Sequence, residues 1–122
     1  MTKAIVRAMD LVQKEYPDVK DFFICGGSKR GWTTWTTAIV DPRVSAIAPA
    51  VIDVLNVTKS LDNHFASYGF WAPAVGDYDE MKIMDRMHTP EFEALRKVVD
   101  PYCYIDRLAM PKYIMNSAGD QF

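Results

Sequence analysis

Along the first fifteen positions apolar residues return at intervals of three and four: Ile5, Ala8, Met9, Leu11 and Val12. That period predicts a helix over 3–15, with Thr2 as its N-cap and Tyr16-Pro17-Asp18 as its stop. The rhythm then changes. Asp21-Phe22-Phe23-Ile24-Cys25 is a nearly continuous apolar run, which suits a strand covered on both faces, as in a parallel sheet. Gly26-Gly27 breaks the run, and residues 29–40 read as a helix carrying Trp32, Trp35, Ala38 and Ile39. Thr33, Thr34, Thr36 and Thr37 lower its intrinsic propensity, so its stability must come from packing. Asp41-Pro42-Arg43 predicts a turn, 44–51 a second strand, and 53–67 a helix with Val54, Leu55, Val57, Leu61 and Phe65 on or near one face. Residues 68–79, rich in aromatics, glycine and proline, read as irregular, and a short helix follows over 80–87. Thr89 as cap and Pro90 at the first helical position predict a further helix to Val98, stopped by Asp100-Pro101. Residues 102–108 read as a turn or short helix, and 112–116 as a last strand ending at Ser117-Ala118-Gly119-Asp120.

Helix, strand, helix, strand, long helical excursion, strand is the order of an α/β domain with parallel strands joined by crossover helices. No internal repeat or linker divides it. Three strands alone leave exposed edges, and a small chain buries little surface per residue. The expectation is therefore that 1–122 is the central part of one larger domain. Its N- and C-terminal parts would lie outside this chain, and a lid-like excursion would span about 68–98.

Composition narrows the classes. The 122 residues are 49% apolar and 25% charged, an ordinary globular balance, and the net charge is -2. With Lys29-Arg30 as the longest basic cluster, nucleic acid is not an expected partner. No stretch approaches the roughly 20 apolar residues that span a bilayer, and the opening residues do not read as a signal peptide, which leaves open one in a longer precursor. Cys25 and Cys103 make neither a CxxC pair nor a zinc spacing. His64 and His88 stand apart from any HxH or HExxH, so neither a metal nor a cofactor is expected.

The chemistry concentrates where a strand, two glycines, a serine and an immediate helix follow one another, at Cys25-Gly26-Gly27-Ser28-Lys29-Arg30-Gly31. A tight strand-to-helix turn would expose the Ser28 hydroxyl above the sheet, and small neighbours let the backbone pass closely. The N–H of Lys29, at the helix start, would face a developing oxyanion. The second glycine arrives one place later than in G-x-S-x-G, and Arg30 holds its usual position. The pattern also fits a plain β-to-α turn with Ser28 as helix N-cap. Neither GxxxxGK[ST] nor GxGxxG is present to mark a phosphate loop.

The segment Gly26-Gly27-Ser28-Lys29-Arg30-Gly31-Trp32-Thr33-Thr34-Trp35, followed by Asp41-Pro42-Arg43-Val44, resembles the PhoPQ-activated pathogenicity-related (PqaA-type) family, which includes autocrine proliferation repressor A-like proteins. Pro111-Lys112-Tyr113-Ile114-Met115-Asn116 and Gly119-Asp120-Gln121-Phe122 look like the family's late strand and acid turn. The resemblance covers the whole chain, although members are several times longer. It implies a partial α/β-hydrolase fold, with Ser28 as presumed nucleophile, Asp120 as triad acid, and a histidine beyond Phe122. It also implies an exported or secreted protein whose substrate is not defined.

Each remaining candidate has a plain structural alternative. The alternative for Asp120 is a plain Asx turn after the strand, and Asp53, also after a strand, could equally cap the helix that follows it. His64 and His88 precede Asp120, against the Ser–acid–His chain order of the fold. Lys29 and Arg30 are either solvent-facing or support the serine, Arg30 as a structural anchor. Trp32 and Trp35 share a helix face and read as core. Tyr68, Phe70, Trp71 and Tyr78 wall a pocket or form a small core of the excursion. Three functions follow. The first is a serine hydrolase cleaving esters or amides through an acyl-enzyme, inactive in this piece because the base is missing. The second is a non-enzymatic secreted signalling or interaction protein with a protein partner. The third is a piece without independent function.

Overall fold

In the computed structural model, which describes residues 1–118, the chain forms two compact units. The first comprises Met1–Ile52 and Tyr104–Asn116, and the second centres on Asp53–Cys103.

The first unit begins with α1 (Thr2–Glu15), followed by β1 (Phe22–Gly27), α2 (Lys29–Val40) and β2 (Val44–Ala50). The strands are parallel and joined by α2, which packs on both, while α1 packs on α2. Ile47, Trp35, Val44, Ala38 and Met9 are buried in the core. The helical threonines answer their own propensity problem. Thr33, Thr34 and Thr37 donate to the carbonyls of Lys29, Arg30 and Thr33 at 3.1, 3.0 and 2.7 Å, so buried hydroxyls are satisfied within the helix.

Four expectations are corrected here. Met1, not Thr2, caps α1; the Thr2 hydroxyl instead meets that of Thr36 at 2.6 Å. On α1 only Met9 is buried, while Leu11 and Val12 are exposed. β1 is not covered on both faces, since exposed Phe23 and Cys25 alternate with half-buried Phe22 and Ile24. The last strand is only partly formed: segment 112–116 runs parallel beside β2, with bridges at Ile47–Lys112 and Ala50–Met115. Ile47 donates to Pro111 (3.1 Å) and accepts from Tyr113 (2.9 Å), and Pro49 accepts from Met115 (3.1 Å). Pro49 has no N–H to return, so the ladder lacks a bond at its centre and breaks into separate bridges.

The second unit contains α3 (Val57–Tyr68), α4 (Gly76–Glu80), α5 (Pro90–Val99) and single 3-10 turns at Pro73–Val75 and Met84–Arg86. Val75, Met84 and Met87 form its core, with Leu61, Trp71 and Phe92 packed against them. The helix expected from 53 begins at Val57, because Asn56 adopts a left-handed conformation (φ 62) that stops it extending backwards. Residues 80–87, expected helical, hold only the end of α4 and a 3-10 turn. The α5 start is as expected: Thr89 accepts from the Phe92 N–H at 3.3 Å, with Pro90 at the first position.

Candidate functional site

Ser28 sits between β1 and α2, exposed, at φ 51 and ψ -128. Only glycine takes a positive φ freely. A serine held there stores strain on the order of 1–3 kcal/mol. An N-capping serine has extended φ/ψ and lends its oxygen to an amide two or three residues on. Ser28 does neither: its backbone lies outside that region and its side chain makes no capping hydrogen bond. Its backbone is pinned, with its N–H donating to the Ala50 carbonyl at 2.9 Å and its carbonyl accepting from Trp32 at 3.1 Å. Lys29 opens α2, so its N–H has no acceptor within the helix.

The displaced glycine has a steric explanation. A Cβ on Gly26 would lie 2.7 Å from the Arg30 carbonyl oxygen and 3.0 Å from Arg30 Cβ. Gly26 is therefore required because the backbone of the first turn of α2, at the Arg30 carbonyl, passes too close for a Cβ. A Cβ on Gly31 would meet Ile52 Cγ2 at 2.5 Å, the Gly26 oxygen at 2.9 Å and the Ala50 oxygen at 3.1 Å. The second glycine is needed at 31 because that is where α2 crosses the end of β2.

Val51, directly after β2, is a second strained residue at φ 46. Since Gly27 pairs with Ala50, Ser28 and Val51 each follow paired positions at the carboxyl edge of the sheet. Ligands of open α/β sheets bind at that edge.

A family model for PhoPQ-activated pathogenicity-related protein matches residues 1–122. The chain belongs to that family. Autocrine proliferation repressor protein A of Dictyostelium discoideum is 42% identical over 126 residues, covering 100% of this chain and 26% of that protein. The chain thus spans about a quarter of that relative's length. No solved structure matches it.

The other residues of this PhoPQ-related chain fall into place one by one. Lys29 and Arg30 are exposed on the first turn of α2. Asp120 lies outside the described residues. Asp53 caps no helix; it is exposed and accepts from Ser60 Oγ at 3.1 Å. His64 Nε2 accepts the Ala72 N–H at 3.1 Å and its ring stacks on Trp71 at 5.8 Å, which ties the end of α3 to the loop after it. His88 is exposed and meets Asp62 at 3.2 Å. Trp71 packs on the small core of the second unit, whereas Tyr68, Phe70 and Tyr78 are exposed. Trp35 is core, as expected, and Trp32 is half-buried. Cys25 and Cys103 are free thiols. Among the described residues no cluster of His, Cys, Asp and Glu could hold a metal, and no helix is long and apolar enough to cross a membrane.

A cleft of about 490 Å³ in the second unit is lined by residues including Asn56, Lys59, His88, Glu93 and Arg96. The chemistry-bearing turn of the sequence is not among its walls. Beside this cleft stands a residue that the pattern did not single out. The buried Asp100 carboxylate accepts from the N–H groups of Asn56 (3.1 Å), Val57 (3.0 Å) and Tyr102 (2.9 Å), and from Arg96 (3.2 Å). It thereby caps α3 from outside that helix. In sequence it is only an Asp-Pro helix stop, and its partners at 56 and 57 are invisible to local pattern.

Proposed function

We propose that Ser28 is the nucleophile of a serine-hydrolase-type site on an α/β-hydrolase scaffold, completed in the longer family proteins by residues outside 1–118. One observation carries the reading: a hydroxyl-bearing residue held at φ 51 between a parallel strand and a helix, with its side chain not engaged in capping. A sharp, strained strand-to-helix turn is the geometry that lifts a nucleophilic serine above a sheet. Ser28 Oγ attacks the carbonyl carbon of an ester or amide as its proton passes to a histidine, and the Lys29 N–H stabilises the oxyanion. Collapse of the tetrahedral intermediate expels the alcohol or amine, which takes that proton from the histidine. Water then hydrolyses the acyl-enzyme. Asp120 orients the histidine, which follows it in the chain order of that fold, and Arg30 supports the turn.

A second reading has support of its own. The related protein is named as an autocrine repressor of proliferation. The comparisons speak for this reading more directly than for catalysis. On it, the same scaffold serves as an exported signalling or interaction protein that binds a protein partner, and turnover is not its function. The exported location rests on family membership alone.

A fluorophosphonate probe applied to the longer protein separates the two. The first reading expects a covalent adduct on Ser28 that Ser28→Ala abolishes. A folded wild-type protein that stays unlabelled overturns it, and a Ser28→Ala protein that keeps its effect on cells supports the second.

A further inference from the structure

We propose that Val51 is a specificity-determining residue of the Ser28 site, its isopropyl group forming the wall against which an apolar acyl or alcohol portion of the substrate packs. The proposal deepens the nucleophile reading and rests on it.

Two non-glycine residues of the first unit have positive φ, Ser28 and Val51, and they stand side by side at the carboxyl edge of the sheet. Valine is among the residues least suited to that conformation, because its branched Cβ crowds the following carbonyl. A glycine would adopt it freely, so backbone shape alone gives no reason for a valine. The backbone is held in place by the Val51 N–H, which donates to the Met115 carbonyl at 2.7 Å. Held this way, the side chain leans over the chain just before the serine: a Cβ built on Gly27 would lie 3.8 Å from Val51 Cγ2. Within residues 1–118 the side chain fills no core, since Val51 is 42% exposed. An apolar branched group, strained and solvent-facing beside a strained serine, is therefore placed to meet substrate. Having no polar atom, it contributes shape and apolar contact to whatever group flanks the scissile carbonyl.

The test compares wild type, Val51→Gly, Val51→Asn and Val51→Phe in the longer protein. Second-order labelling rates are measured with fluorophosphonates carrying a small or a branched, bulky alkyl group. The glycine and asparagine variants tolerate the positive φ, which keeps the test clear of misfolding, and circular dichroism checks the fold. Val51→Gly is expected to raise the bulky-to-small rate ratio by about tenfold or more, and Val51→Phe to lower it by a similar factor. An unchanged ratio in Val51→Gly, with Ser28 still labelled, overturns the role of Val51 and leaves the nucleophile reading intact. Absence of labelling in the folded wild type overturns both.

Discussion

At the scale of single residues, the backbone conformation of Ser28 separates two roles that share one local pattern. Were Ser28 a cap, replacement by glycine would cost a few tenths of a kcal/mol. Strain at φ 51 predicts the opposite sign. Ser28→Gly relieves it and, after the greater entropy loss of glycine, should stabilise the longer protein by about 1 kcal/mol. Thermal unfolding measures this, and a lowered Tm would count against strain. The glycines around it are separable in the same way. Gly31→Ala places a Cβ 2.5 Å from Ile52 Cγ2 and should destabilise by about 1–3 kcal/mol. Gly76→Ala has open space at a helical φ of -56 and should gain about 0.4–1 kcal/mol. The residue types at 26–31 were legible in the sequence. The reason for glycine at 31 was not, because the nearest obstructing atom, Ile52 Cγ2, belongs to a residue that only the sheet brings there.

At the scale of elements, two residues decide what local pattern left open. Asp100 holds the start of α3 through the amides of Asn56 and Val57. Asp100→Ala would leave Arg96 without one buried partner and those amides without an acceptor. The expected cost is about 3–5 kcal/mol, with faster hydrogen exchange at Asn56 and Val57 as its local mark. Unchanged exchange there would show that α3 does not depend on this cap. Pro49 is the second residue. Segment 112–116 was legible as a strand from its short apolar run and the turn that ends it, but its ladder is incomplete because the central partner lacks an N–H. The helix start at 57 was missed for a related reason. Asn56 takes a left-handed conformation that many sequences avoid, while Asp100 supplies the cap from 44 residues away.

At the scale of the whole molecule, charge and exposed surface set the behaviour. The Arg43 guanidinium donates to Asp41 at 2.6 and 2.9 Å, Asp10 at 2.9 Å and Gln13 at 2.6 Å, joining α1 to the turn before β2. Hydrogen bonds from Arg43 hold both carboxyls below their usual range of about 4. With the folded pKa depressed, the unfolded chain binds more protons as acid is added. The stabilisation is therefore full above about pH 4–5 and is lost as pH falls through the folded values. Tm should drop below about pH 4, and Arg43→Gln should flatten that drop in a series from pH 3 to 7. A profile unaltered by the substitution would remove the cluster from the account. The open face of β1 has its own consequence. With Phe23 62% exposed beside an unpaired strand edge, the 122-residue chain expressed alone should self-associate. Phe23→Lys should raise the monomer fraction in light scattering, and an unchanged fraction would point to another surface.

By itself the sequence determined the alternation of helices and parallel strands, the α2 boundaries, the α5 cap and the position of the serine turn. Each of these follows from period, caps and breakers within a few neighbouring residues. The tertiary structure decided that Ser28 is strained and does not cap its helix, why the second glycine stands at 31, that Val51 lies beside the serine, and that Asp100 is a buried cap. Those features depend on atoms brought together across 20 to 45 positions by strand pairing and helix packing, and no window of local sequence contains both partners.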